Sequence, residues 1–128
     1  GTEGSIIVFN QSFEITRLKE LAIAFPKYKN WVDSIIKRIV DLLTPFRNFD
    51  YYNPEQKGSC SIKAVLPAIT GKSYKELNIN NGGLASVSYF ESVFNEVENK
   101  EQIRKDLLEY CKLDTEGMIW IIDKLKVI

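Results

Sequence analysis

Ser5-Ile6-Ile7-Val8-Phe9-Asn10-Gln11-Ser12-Phe13-Glu14 decides how the chain begins. Ser5 to Phe9 is a short β-branched run of the kind that forms a buried strand. Asn10-Gln11-Ser12 suits a sharp turn. Ser12 can cap a following helix, because its hydroxyl can accept a hydrogen bond from a free N–H of the first turn. Glu14 falls in that first turn, where the helix dipole favours an anion. Ile15, Leu18, Ala22 and Phe25 then recur at helical spacing until Pro26 stops the pattern. The expected opening is strand, turn, helix.

Outward from this opening, Asn30 to Leu43 reads as a second amphipathic helix. Its stripe is Trp31, Ile35, Ile39 and Leu42, flanked by Val32, Ile36, Val40 and Leu43. Periodicity leaves a second reading open for its tail, Ile39-Val40-Asp41-Leu42-Leu43, which would serve equally as a strand. Thr44-Pro45 marks a break. Phe49 to Ser59 is a Tyr/Asn/Pro/Gly-rich loop or short strand. A short helix is expected from Ser61 to Ile69, with Pro67 weakening it only if it runs further. Asn80-Asn81-Gly82-Gly83 signals a turn, followed by a helix from Leu84 to Phe94. A long helical pattern runs from Glu101 to Val127 through Leu107, Cys111, Met118, Ile121 and Leu125.

The 128 residues suffice for one domain, and 45% hydrophobic residues suffice for a core without staples. Lys plus Arg and Asp plus Glu stand at 17 each, so bulk electrostatic coating of duplex DNA is disfavoured. The chain has no His, which excludes Ser-His and Cys-His catalysis and most zinc sites. Cys60 and Cys111 are too far apart for a CxxC motif and read as two buried or half-buried cytosolic thiols. Neither a membrane-spanning run nor a signal peptide is visible, so the expected compartment is the cytoplasm.

Chemistry must then come from carboxylates, Tyr, Lys or Ser. Asp114 is the anomaly, because it falls on the apolar stripe of the last helix between Cys111 and Met118. A carboxylate facing a core needs a partner. Tyr110 lies one turn earlier on the same face. Gly117 lies one turn later and suggests close approach of another backbone, such as a strand. A plainer reading stays open: a kink near Leu113, with Asp114 capping a separate terminal helix. Lys63 reads as a solvated helix lysine that could reach a phosphate. The aromatics Phe46, Phe49, Tyr51 and Tyr52 read as core or as a patch able to stack bases.

Tyr110-Cys111-Lys112-Leu113-Asp114 has the form Tyr-x-x-x-Asp, and Asn10-Gln11-Ser12-Phe13-Glu14 the form Asn-x-x-Phe-Glu. These resemble the third and second motifs of DEDD exonucleases of the Tyr subtype, within the RNase H-like superfamily. The stretches Val8-Phe9-Asn10, Phe13-Glu14, Arg17-Leu18, Asp41-Leu42, Pro45-Phe46-Arg47 and Tyr51-Tyr52 also resemble the bacterial domain-of-unknown-function family 2779. So do Gly58-Ser59, Ser61 to Pro67, Leu108 to Lys112 and Asp114-Thr115.

The resemblance implies an α/β fold: a partial RNase H-like unit, mostly helical with few short strands. It implies residues 1–128 as a single domain, the C-terminal portion of a nuclease-type domain. In such exonucleases four acids hold two magnesium or manganese ions, which activate water and stabilise charge on the phosphate being cut. Carried over by motif, Glu14 and Asp114 would be metal ligands and Tyr110 would orient the water. The first motif, Asp-x-Glu on an opening strand, is missing upstream of Ser5. The fourth acid has only Asp50, Asp106 and Glu91 as candidates, none with motif support. Asp114-Thr115-Glu116 spells the first motif but lies in a helical pattern, so it is rejected. The expectation is a metal-dependent 3′–5′ exonuclease segment acting on DNA or RNA, inactive as this chain. The competing reading is a non-catalytic interaction module. An open strand edge near Ile6 to Phe9 implies a homo-oligomer.

Overall fold

The computed structural model describes residues 1–128 and divides them into two units, Gly1–Ile62 and Lys63–Ile128. The secondary structure is mixed α/β and mostly helical, with one small sheet.

In the first unit, β1 (Ile6–Val8) leads into α1 (Gln11–Ala24) as the opening sequence predicts. Helix α1 packs on α2 (Lys29–Ile36), and the chain then forms β2 (Ile39–Asp41). The two strands are parallel, with Ile6 opposite Ile39 and Val8 opposite Asp41. The unit is therefore a β-α-α-β crossover, closed by the short helix α3 (Thr44–Arg47). Arg38 fixes the entry of β1. Its guanidinium donates to the carbonyls of Gly4, Gly1 and Glu3 at 2.7, 2.9 and 2.6 Å. Val32, Leu42, Leu43 and Phe46 are buried, and the Phe46 ring stacks on Phe9.

Three expectations for this unit need correction. The second helix stops at Ile36, and the tail 39–41 takes the strand alternative. Trp31 does not join the buried stripe; it is about half exposed and meets Tyr28 edge-on. Ser12 is not the cap. The residue before the helix is Asn10, at φ 82°, and Ser12 instead donates its hydroxyl to the Asn10 side chain at 2.7 Å. Asn tolerates this left-handed backbone because its short polar side chain bonds locally.

In the second unit, α4 (Ile62–Thr70) enters from the last residue of the first and carries Pro67 in its interior. Pro67 lacks the N–H that would bond the Lys63 carbonyl four residues earlier. A 3-10 turn at Tyr74–Glu76 follows, its start capped by Ser73 accepting from Lys75 N–H. Helix α5 (Gly82–Phe94) begins two residues earlier than predicted. Asn81 caps it by accepting from Leu84 N–H at 2.9 Å, so the two glycines form its first turn. Helix α6 (Lys100–Leu125) packs along α5 and runs 26 residues without a break. Val65, Leu66, Tyr74, Ile79 and Ile121 are buried, whereas Cys111, expected to be at least half-buried, is an exposed free thiol on α6. Gly117 does meet a close neighbour, but a side chain and not a strand. A Cβ there would lie 3.0 Å from a Leu66 methyl.

No helix is long and apolar enough to cross a membrane.

Candidate functional site

The continuity of α6 settles the status of Asp114. No kink occurs near Leu113, so Asp114 is not the cap of a separate terminal helix. Tyr110 and Asp114 share one face a turn apart, and both are half-buried.

The partner that a carboxylate in this position requires is Tyr74. Its hydroxyl donates to Asp114 Oδ1 at 2.6 Å across 40 residues of sequence. A bond this short is expected where the acceptor is ionised. The Tyr74 ring is buried and meets the Tyr110 ring at a centroid separation of 5.8 Å. Burial pushes the Tyr74 phenol well above its ordinary range, and its bond to Asp114 adds to that. Burial and the Asp114 charge also raise the Tyr110 phenol. Both tyrosines are therefore neutral near pH 7, so Tyr110 is suited to orient a group and not to abstract a proton.

Lys63 completes the cluster. Its ammonium lies 5.7 Å from the Tyr74 ring centroid and 5.8 Å from that of Tyr110. The first turn of α5 lies near the other end of Tyr110, where a Cβ on Gly82 would sit 3.8 Å from the Tyr110 hydroxyl. Three elements, α4, α6 and the 3-10 turn, thus supply Lys63, Tyr110 with Asp114, and Tyr74.

Glu14 belongs to the first unit. It stands half-buried in the first turn of α1, directly after β1, and its carboxylate has no hydrogen-bond or ion-pair partner. The buried acid nearby is Asp41, which accepts from the backbone N–H groups of Asn10, Gln11 and Leu43 at 2.8, 3.1 and 3.0 Å. Three of its roughly four lone-pair sites are taken by backbone N–H groups.

Among the candidates for a fourth acid, Asp50 and Glu91 are exposed. Asp106 is half-buried and accepts from Asn78 and Gln102. No three Cys, Asp or Glu residues gather into a group able to hold a metal ion. The aromatic set splits: Phe46 is core and packs edge-on against Tyr51, whereas Phe49 and Tyr52 form an exposed pair.

Tyr74 and Asp41 were the functional-looking residues that sequence reasoning missed. For Asp41 a signal existed, since it interrupts the apolar run Ile39 to Leu43. For Tyr74 no local signal existed.

Residues 1–61 match the family described as "Domain of unknown function (DUF2779)". The chain is 36% identical over 93% of its length to "Uncharacterized protein UU173" of Ureaplasma parvum serovar 3, covering 20% of that protein. It is 33% identical over 92% of its length to "Uncharacterized protein MG366" of Mycoplasma genitalium, again covering 20%. The corresponding homologue of Mycoplasma pneumoniae is 31% identical over 91% of the chain and is also covered to 20%. The chain thus spans about a fifth of the length of the curated relatives it matches. No solved structure matches. The RNase H-like resemblance therefore rests on its motifs.

Proposed function

We propose that this chain is the distal part of an RNase H-like, metal-dependent 3′–5′ exonuclease domain, with residues 1–128 working as one functional piece of a longer protein. The observation that carries this reading is the Tyr110–Asp114 pair, held one turn apart on a single face of α6 with the carboxylate fixed by Tyr74. The unpartnered, half-buried Glu14 at the start of α1 supports it.

Oxygen donors of this kind suit magnesium or manganese. By motif alone, Asp114 and Glu14 are each assigned as acidic metal ligands; a bound metal would supply activation of water and charge stabilisation at the phosphate. Asp114 Oδ1 is engaged by Tyr74, so Oδ2 is the oxygen open to a cation. Tyr110, neutral at working pH, would orient the attacking water. Two carboxylates make half of a two-metal site, so the chain by itself is expected to be inactive.

The test is degradation of single-stranded DNA and RNA, labelled at the 5′ end, by the longer protein with manganese. Shortening from the 3′ end that Asp114→Asn and Glu14→Gln both abolish is the expected result. Activity untouched by Asp114→Asn would sink the assignment.

A second reading, a non-catalytic interaction module, draws on α5. Its outer face exposes Leu84, Val87, Phe90 and Phe94 at helical spacing. A longer protein with no metal-dependent cleavage, and a partner lost on Phe90→Glu, would favour it.

A further inference from the structure

Lys63 and Asp114 both meet Tyr74, yet they form no ion pair with each other. No carboxylate lies within ion-pair distance of its ammonium. The acid of the cluster, Asp114, instead takes the Tyr74 hydroxyl on Oδ1. Lys63 lies near the rings of Tyr74 and Tyr110, at nearly equal distances from both centroids. A cation–π contact at an exposed site is weak, and Lys63 is exposed. Its charge therefore lies beside the Tyr74 and Tyr110 rings without an ion-pair partner, and is open to an incoming anion. The stem is tethered in the first turn of α4, a short reach from both rings.

We propose that Lys63 is the phosphate-binding group of this site, engaging a phosphodiester of a single-stranded nucleic acid beside Tyr110 and Asp114. Tyr74 contributes by occupying Asp114 Oδ1, which lowers that oxygen's claim on the lysine. The nuclease reading supplies only the identity of the ligand; the binding itself needs no metal. A lysine is suited to this role as a compact point charge with rotatable donors.

Binding of fluorescent oligo-dT and oligo-U to the 128-residue chain, followed by anisotropy in EDTA, tests the assignment. Lys63→Gln is expected to weaken binding about fivefold and to flatten the slope of log K against log salt by about 0.7, the loss of one single-strand phosphate contact. Lys63→Arg keeps the charge and is expected to stay within about twofold. Lys124→Gln removes an exposed lysine farther along α6 and serves as the control for general charge. The Lys63 Nζ resonance of the unaltered chain is expected to shift on titration with either oligonucleotide, a readout that depends on no variant.

No measurable binding, an unmoved Nζ resonance, or an equal loss in Lys124→Gln would overturn the proposal. Loss of binding confined to Lys63→Gln upholds it even if the longer protein cuts nothing, a result that would sink only the nuclease reading. Cleavage by the longer protein with unchanged Lys63→Gln binding would do the reverse.

Discussion

The carboxylate of Asp41 accepts the backbone N–H of Asn10 at 2.8 Å, joining the end of β2 to the start of α1 across 31 residues. The same carboxylate takes Gln11 N–H on its other oxygen and Leu43 N–H on the first. Helix α1 has no side-chain cap of its own, so Asp41 supplies one from the neighbouring strand.

Asp41→Asn is expected to destabilise the chain by about 1–3 kcal/mol, since the amide would point an N–H₂ at the Gln11 or Asn10 donor. Asp41→Ala, which leaves all three N–H groups without an acceptor, should cost more. Urea unfolding followed by circular dichroism measures both. A change of under about 0.5 kcal/mol for the alanine variant would show that the cap contributes little.

Gly117 is expected to resist even the smallest enlargement. Gly→Ala in a helix interior normally gains about 1 kcal/mol. Here the new Cβ would sit 3.0 Å from Leu66 Cδ2, and Leu66 is fully buried. Overpacking of that kind costs about 1–3 kcal/mol. Gly117→Ala should therefore lower stability by up to about 2 kcal/mol, and pairing it with Leu66→Val should recover part of the loss. A stabilised Gly117→Ala would show that the contact relaxes freely.

The Asp41–Asn10 and Tyr74–Asp114 bonds mark where local sequence signals end. The opening strand, turn and helix were legible because each signal is local: a β-branched run, an Asn-Gln-Ser turn, then helical spacing to Pro26. The Tyr110–Asp114 face was legible because four residues make one turn. The ending of α2 was not, because the run from Ile39 fits either period and the deciding event is Asp41 reaching back to Asn10. Tyr74 was invisible for the same reason, since its bond to Asp114 spans 40 residues. The start of α5 was misread by two residues because glycines favour turns, whereas Asn81 supplies a cap strong enough to draw both into the helix.

The raised phenols give an alkaline signature. Tyr74 and Tyr110 both titrate above their ordinary value of about 10, chiefly through burial. A group whose folded pKa exceeds its unfolded one contributes stability that is present below the unfolded value and lost as pH rises towards the folded one. Stability is therefore expected to hold up to about pH 10 and to fall above it. Of the six tyrosines, Tyr74 should show no phenolate absorbance until the chain unfolds. Tyr74→Phe should remove that last, cooperative step from the alkaline titration. Six tyrosines ionising together near their ordinary value in the folded protein would contradict the burial of Tyr74.

The sheet predicts a mode of self-association. Strand β1 pairs with β2 on one side only, through Ile6 N–H to the Arg38 carbonyl and Leu42 N–H to the Val8 carbonyl. Successive residues alternate direction along a strand, so the N–H and C=O of Ile7 face the open side. An open edge of this kind is a template for another strand. Light scattering is expected to detect a dimer at high concentration. Ile7→Pro should return it to a monomer while leaving the β1–β2 bonds intact, because proline is tolerated where the N–H lies outside the ladder. A chain that is monomeric at every concentration, or a dimer indifferent to Ile7→Pro, would place any association away from this edge.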